Sequence, residues 1–320
     1  MGFFDSLFSS SSKNDPEQDG KKSEEKNFDI LKYDGVRAQK IHKLAYAIRC
    51  FEEALNIQED FETRTYLVNA YLASNKLDEA LHTLDKMKEL QPDHVDTLLT
   101  RIHVLFMLDK DAEVIKDCLS VIELEPENPM AYYLMAKAKH TTGDLLGAIA
   151  DLTKAITLKD DYANAYQLRA ELLLAMKQGA EALEDIQKVI DLNPDEDLAY
   201  LLRGRIFALM GEADKADEDF HKVLSLNPFS EEAVLMIGRL MISRGNLDEA
   251  ITFFDEAIET SPDQGLYYSE RGRAKNMKGD KKGAFEDLKK SIELNPEGEN
   301  AQLVEGKHSN FDNLYSGGIY

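Results

Sequence analysis

Residues 195–228 read DEDLAYLLRGRIFALMGEADKADEDFHKVLSLNP, and the same arrangement returns every 34 residues along most of the chain. The segment holds two apolar-periodic stretches that are separated by Gly211 and closed by Pro228. Because glycine readily ends a helix and proline cannot continue one, the segment predicts two helices joined by a short turn. A fixed period of this length is typical of helix–turn–helix arrays, so the sequence predicts an all-α fold.

Three rows of residues keep the period. Prolines lie at Pro92, Pro126, Pro194, Pro228, Pro262 and Pro296, and Asp160 takes the slot between the second and third. Twelve residues before each slot stand Ala80, Val114, Ala148, Ala182, Ala216, Ala250 and Ala284. Twenty-four residues before each slot, at what we call the small position, stand Val68, Ile102, Ala136, Ala170, Gly204, Gly238 and Gly272. Small residues let helix axes approach closely, and stacked pairs bury the face that one pair cannot bury alone.

The series Tyr200, Gly204, Phe207, Ala216, Phe220 and Pro228 resembles the tetratricopeptide repeat. Seven repeats follow the strict period, and an eighth precedes them one residue out of step, so the resemblance covers residues 28–298. It implies a right-handed superhelical α-solenoid of antiparallel helix pairs. Val68 and Ile102 are large for the small position, which predicts looser packing in the second and third repeats.

The predicted organisation has three parts. Residues 1–27 form a flexible tail that starts with a short hydrophobic segment, and residues 299–320 form a C-terminal cap or tail. The repeats between them occupy 28–60, 61–94, 95–128, 129–162, 163–196, 197–230, 231–264 and 265–298. Two interpretations stay open for each end. Residues 1–8 either anchor the protein to a membrane surface or partner, or fold back on the array. The C-terminal tail either caps the last repeat or docks as an inhibitory or partner-binding peptide.

Composition narrows the classes of partner. The chain has 320 residues, a formal net charge of −22 and a pI near 4.7. This negative charge disfavours binding to nucleic acid and strong binding to anionic lipid, and it favours solubility. Cys50 and Cys118 lie in different repeats and are expected to be buried and unpaired, which predicts a cytoplasmic protein. No apolar run reaches the length of a membrane span, and the N-terminus does not resemble a secretory signal.

The motifs of catalysis and cofactor binding are absent from the sequence. It contains no phosphate-binding glycine loop, no paired-cysteine motif and no Gly-x-Ser-x-Gly. The seven histidines lack metal-ligand spacing. We therefore expect a protein that is not an enzyme and that has no cofactor or metal.

The resemblance implies that the first helix of each repeat lines a concave groove. The residue after the small position lies off the packed stripe, about 100° around the helix. In repeat order this residue is Asn69, His103, Lys137, Glu171, Arg205, Arg239 and Arg273. The last three predict a basic row suited to carboxylate or phosphate, and Phe106, Tyr133 and Leu201 are expected to add apolar contacts. The alternative is that the arginines pair with acids inside the array.

These residues predict a protein-interaction scaffold that binds an extended or helical segment of another protein, acidic where it meets the arginines. The alternative is a membrane-peripheral assembly factor that is anchored by residues 1–8. Some relatives hold a C-terminal carboxylate with a set of Lys, Asn and Arg side chains. That set is not matched here, because Leu99 and Leu134 neighbour the equivalent positions and Asn69 stands alone.

Overall fold

The computed structural model describes residues 16–296, which form sixteen α-helices and no strand. The chain divides into two compact units, Met1–Leu158 and Lys159–Tyr320. Unit 1 contains α1 (Pro16–Lys40), α2 (Leu44–Ile57), α3 (Phe61–Ala73), α4 (Leu77–Leu90), α5 (Val95–Met107), α6 (Asp111–Leu124), α7 (Pro129–Thr141) and α8 (Leu145–Leu158). Unit 2 contains α9 (Ala163–Ala175), α10 (Gly179–Leu192), α11 (Asp197–Leu209), α12 (Ala213–Leu226), α13 (Glu231–Ser243), α14 (Leu247–Thr260), α15 (Gly265–Lys278) and α16 (Lys281–Leu294).

Within each unit, consecutive helices pack as antiparallel neighbours joined by short turns. Odd-numbered helices are the first helices of the pairs and even-numbered helices are the second. First helices of successive pairs also touch, as α1 touches α3 and α13 touches α15. Each unit is therefore an α-solenoid of stacked helix pairs, as the sequence predicts.

The turn inside a pair uses one left-handed residue at a fixed register. Glycine supplies it at Gly143, Gly211, Gly245 and Gly279, with φ between 80° and 95°. Asn75, Asp109 and Lys177 hold the equivalent positions in other pairs, with φ of 54°, 53° and 61°. Because this conformation costs a residue other than glycine about 1–2 kcal/mol, the packing of the two helices must impose the turn.

In the core of each pair, the sizes of the side chains that face each other across the two helices are matched. The residue at the small position of the first helix faces the residue sixteen positions later in the second helix. Glycine faces a fully buried phenylalanine in three pairs: Gly35–Phe51, Gly204–Phe220 and Gly238–Phe254. A Cβ atom on Gly238 would lie 2.1 Å from the ring of Phe254, so only glycine fits there.

The third pair reverses the sizes. Ile102 occupies the small position and is fully buried, and the residue sixteen positions later is the smaller Cys118, in the same core cluster. The expectation of looser packing at Ile102 is wrong, because Cys118 leaves the space that glycine leaves elsewhere. Cys50 and Cys118 are both free and buried, as predicted. Burial raises the pKa of the Cys118 thiol to about 12.

The first helix differs from the sequence prediction. The structure places residues 16–27 in α1 rather than in the flexible tail predicted for 1–27. This segment is rich in Glu, Gln and Lys, which have good helix propensity, and extending an existing helix costs far less than starting one. The helix is fixed from Phe28 onward, where Phe28 is buried and Lys32 Nζ lies 2.9 Å from Asp60 Oδ2 at the start of α3.

The hydrophobic start segment 1–8 and the C-terminal segment 299–320 lie outside the described residues. Their predicted anchoring and capping roles therefore stay predictions. Between residues 16 and 296, no helix is both long and apolar enough to cross a bilayer.

Candidate functional site

The first helices carry the predicted site residues on a side that is not used for packing within the pair. Asn69, His103, Lys137 and Arg205 are exposed, whereas Arg239 and Arg273 are partly buried. Phe106 and Tyr133 are half-buried on α5 and α7. Leu201 packs into the core of unit 2 instead and offers no surface for a contact. Asn69 lies on α3, apart from the residues described next.

In unit 1, the structure brings several predicted residues together. A groove of about 370 Å³ lies between α5 and α7, and we call it the α5–α7 groove; its lining is Leu99, His103, Phe106, Met107, Met130, Leu134 and Lys137. The α5 members are spaced three or four residues apart and form one helical stripe, as do the α7 members. Leu98, Ile102 and Leu105 fill the neighbouring stripe of α5, about 100° around the helix, and are fully buried. The groove therefore follows from a second apolar stripe beside the buried one: Leu99, Phe106 and Leu134 pack partly against the core, whereas Met107 and Met130 are exposed.

Lys137 provides the cation of the groove. Its Nζ lies 5.1 Å from the ring centroid of Phe106 and 6.0 Å from that of Tyr133. Ring faces attract an ammonium ion but accept no hydrogen bond of normal strength. The N–H groups of Lys137 therefore stay available for an anion. Among the described residues, no carboxylate forms an ion pair with Lys137.

In unit 2, the equivalent surface is neutralised by acids. Arg239 Nε donates a 2.7 Å hydrogen bond to Oε1 of Glu270, and Arg273 Nη1 lies 3.5 Å from Oε2 of the same carboxylate. The Glu270 side chain is only 10 % exposed. Arg205 has a looser contact, with Nη1 3.6 Å from Oε1 of Glu232. The predicted arginine row thus forms ion pairs within the array, which is the alternative that the sequence left open.

Comparison with known families agrees with this architecture. Profiles of the tetratricopeptide repeat match residues 131–162, 163–196 and 207–272, each of which falls on the helix pairs described above. The chain is a tetratricopeptide-repeat protein. Repeats of this kind are protein-interaction modules, so the protein is an interaction scaffold in the broad sense. Its fold is typically non-catalytic.

A solved structure shares the fold of this chain, and others resemble it over part of its length. A tetratricopeptide repeat protein from Parabacteroides merdae is 17 % identical to this chain, covers 77 % of it with 97 % of its own length, and superposes with a TM-score of 0.61. MamA is 24 % identical over 51 % of this chain and 95 % of its own, with a TM-score of 0.49. YrrB, described as a TPR protein with an unusual peptide-binding site, is 22 % identical over 59 % and 97 %, with a TM-score of 0.46. A search of curated proteins found no match.

The tetratricopeptide-repeat protein also contains a polar network that our sequence analysis missed. An arginine one residue before the small position pairs with an aspartate sixteen residues later, at Arg101–Asp117, Arg169–Asp185, Arg203–Asp219 and Arg271–Asp287. The N–O distances are 2.5–2.7 Å, and the Asp117 side chain is 1 % exposed. The signal that could have found this network is the row one residue before the small position, which carries arginine in four of the seven strictly spaced repeats.

Three repeats on the strict period lack this arginine, but only one of them keeps the aspartate. In that repeat Met135 takes the place of the arginine in α7, and Asp151 in α8 has only Lys139, whose Nζ lies 2.6 Å from Oδ2 without hydrogen-bond geometry. Burial raises the pKa of the Asp151 carboxyl above its ordinary value, and Lys139 offsets this shift only in part. Within residues 16–296, no group of three or more His, Cys, Asp or Glu side chains is arranged to hold a metal ion.

Proposed function

We propose that the protein is a scaffold that binds a segment of another protein in the α5–α7 groove, and that this segment combines apolar side chains with an acidic group. The observation that carries the proposal is Lys137, held over the rings of Phe106 and Tyr133 at the edge of an apolar groove. The arginine row, which the sequence favoured as the acid-binding element, is the weaker candidate because its charges are already paired.

The apolar part of the proposal rests on exposed side chains. Met107 and Met130 are 46 % and 50 % exposed at the groove, beside Leu99, Leu134 and Phe106. Methionine adapts its shape to different partners. Each apolar side chain of the partner that becomes fully buried contributes about 1.5–3 kcal/mol. Two or three such anchors support moderate affinity after the entropic cost of association is subtracted.

The acidic part of the proposal must overcome the charge of the whole chain, which is −22. Long-range repulsion opposes an acidic segment at low ionic strength, but charges separated by more than about 8 Å are largely screened at physiological salt. The contact with Lys137 is short-ranged and less exposed to that screening. A carboxylate placed against it gains a charge-assisted hydrogen bond, worth about 1.5–3 kcal/mol.

The mode of binding follows from the two stripes that line the groove. A helix laid between α5 and α7 would present apolar residues three and four positions apart, whereas an extended segment would present every second residue. The groove is open along both helices and accepts either form. The register of apolar residues in selected ligands would distinguish the two.

The test begins with random twelve-residue peptides displayed on phage and selected on the full-length protein. Binding of the selected peptides is then measured by fluorescence anisotropy against Phe106→Ala, Lys137→Ala and Arg205→Ala. Arg205 is the matched control, because it is an exposed cation at the equivalent position two repeats later. We expect Phe106→Ala to weaken binding about tenfold, in line with the loss of one aromatic anchor, and Arg205→Ala to leave it within about twofold.

Selected peptides should carry acidic residues, and Lys137→Ala should weaken acidic peptides more than versions in which Asn or Gln replaces Asp or Glu. Peptides that bind equally well to Phe106→Ala and Lys137→Ala would place the binding site elsewhere. If selected peptides lack an acidic group but still depend on Phe106, the groove is the binding site and the proposed requirement for an acid is wrong.

A further inference from the structure

Three buried polar atoms on α15 lack hydrogen-bond partners. They are Oε2 of Glu270, Nε of Arg273 and Oδ1 of Asn276. Their residues follow one another at intervals of three, so they lie on one side of the helix. Glu270 as a whole is 8 % exposed, and the Arg273 side chain is 15 % exposed, compared with 48 % for Arg205 at the equivalent position two repeats earlier.

Such a group of atoms calls for a polar ligand. Leaving one buried donor or acceptor unsatisfied costs about 1–3 kcal/mol, and folded proteins leave few of them. Glu270 and Asn276 need donors, whereas Arg273 needs an acceptor. A polypeptide segment offers both, because every residue other than proline carries one backbone N–H and one C=O.

The surroundings of these atoms are apolar at both ends. Leu266 and Met277 are 48 % and 52 % exposed, and with Glu270 and Arg273 they form a stripe along α15 at helical spacing. We call these four residues the α15 stripe. Two guanidinium groups, those of Arg239 and Arg273, share the single carboxylate of Glu270, which leaves the cluster with one excess positive charge. The stripe therefore suits a segment with apolar residues on both sides of an acid.

We propose that the C-terminal segment 299–320 of the same chain binds along the α15 stripe. The segment follows α16, which ends at Leu294 and packs against α15. Packed helices lie about 8–10 Å apart, and an extended chain advances about 3.4 Å per residue, so four or five residues of linker reach the stripe. The segment contains Asp312, with Phe311 on one side and Leu314, Tyr315 and Ile319 on the other.

This interaction gives the two units different states. In unit 1 the surface between first helices stays open to another protein, whereas in unit 2 the chain supplies its own ligand. A partner that binds at Arg239 or Arg273 must first displace residues 299–320. The proposal is independent of ligand binding in the α5–α7 groove, because it concerns residues of unit 2 alone.

Hydrogen–deuterium exchange of the full chain, read by mass spectrometry, tests the proposal. We expect amides within 299–320 to exchange at least about tenfold more slowly than in an unstructured peptide. Arg273→Ala and Asp312→Asn should each remove most of that protection. Arg205→Ala is the matched control and should leave it unchanged.

Asn276→Leu provides a second variant that should fold, because Ile242 and Leu174 occupy the equivalent positions of earlier repeats. It should also speed exchange in 299–320. Unprotected amides in the wild type would overturn the proposal. So would protection that none of the α15 substitutions changes, which would indicate a cap on the end of the array. Protection that rises with protein concentration would mean exchange of segments between two copies, and would overturn binding within the chain.

Discussion

The residues His103, Leu134 and Lys137 of unit 1 and the residues Arg239, Glu270 and Arg273 of unit 2 hold the same three positions, four repeats apart. In unit 1 they border an open groove, and the ammonium of Lys137 rests on aromatic rings. In unit 2 they form a closed cluster around one buried carboxylate. The first helices that carry them are otherwise built alike.

The middle of the three positions changes from apolar to acidic. Leucine at 134 leaves the neighbouring cation unpaired and lines the groove, whereas glutamate at 270 binds the cations on both sides of it. A positive residue on the surface of a repeat array therefore predicts a binding site only when acids one turn back in its own helix and in the following repeat are also considered. Substitutions at these positions test the contrast between the two units.

The largest effect is expected for Glu270→Ala. The change leaves Arg239 and Arg273 partly buried without their carboxylate, and breaking a buried ion pair on one side costs about 3–5 kcal/mol. We expect a loss near the lower end of that range in urea unfolding followed by circular dichroism. Glu232→Ala is the control: its side chain is 47 % exposed, and its loss should cost less than about 1 kcal/mol. Equal losses for the two variants would contradict the contrast.

The next effect concerns binding. Leu134→Glu introduces into unit 1 the residue that closes unit 2, and its carboxylate is expected to pair with Lys137. Peptides selected on the α5–α7 groove should then bind at least about tenfold more weakly, a change of about 1.4 kcal/mol. Leu134→Gln, of the same size but uncharged, should weaken binding less. If the two variants behave alike, loss of apolar surface explains the effect and the charge of Lys137 does not.

A pH effect is expected at Asp151, whose equivalent four repeats later is Asp287. Because burial raises the pKa of Asp151, the folded state holds the proton more tightly than the unfolded state, so protonation favours folding at this residue. Asp151→Asn mimics the protonated form at every pH. We expect this variant to be more stable than the wild type near pH 7, and the difference to shrink as the pH falls through the raised pKa.

Urea unfolding at several pH values measures that difference. Asp287→Asn is the matched control, because Asp287 accepts two hydrogen bonds from Arg271. This variant should be less stable than the wild type near pH 7. If the stability difference between Asp151→Asn and the wild type stays constant with pH, titration of Asp151 does not contribute to the pH dependence of stability.

The smallest effect is expected for the stability of Lys137→Ala. A cation–π contact at an exposed site is worth about 0.5–1 kcal/mol, and Lys137 has no ion pair to lose among the described residues. Its free energy of unfolding should therefore fall by no more than that amount. A larger loss would show that Lys137 supports the fold, and its effect on peptide binding would then need a folded-state control.

The periodic rows made the fold predictable, because each row reports one packing contact that recurs in every repeat. The helix pairs, the turn glycines and the buried cysteines all follow from them. The start of α1 was not predictable in this way, since residues 16–27 are polar and their helix is an extension of a neighbour rather than a packed element. The packing at Ile102 depends on Cys118, which only a comparison across the two helices reveals.

The candidate site was predictable only as a set of surface positions. His103, Phe106, Tyr133 and Lys137 were chosen from register, and the structure brings them together around one groove. The same register selected three arginines whose acids lie in the following repeat, at Glu232 and Glu270, or one turn back in the same helix. Contacts between repeats depend on side-chain reach, which a single-repeat pattern does not contain.

The arginines beneath the surface affect how the array comes apart. Arg203 binds both Asp219 in its own pair and Gln187 in the pair before it, and Arg271 does the same with Asp287 and Asp255. Losing one pair therefore exposes a charge in its neighbour, so the two tend to unfold together. Ile237 interrupts this series between them. Under tension or heat, repeats bridged by an arginine would therefore tend to come apart together, and in the repeat that carries Ile237 the Arg239–Glu270 pair provides the link to the following repeat.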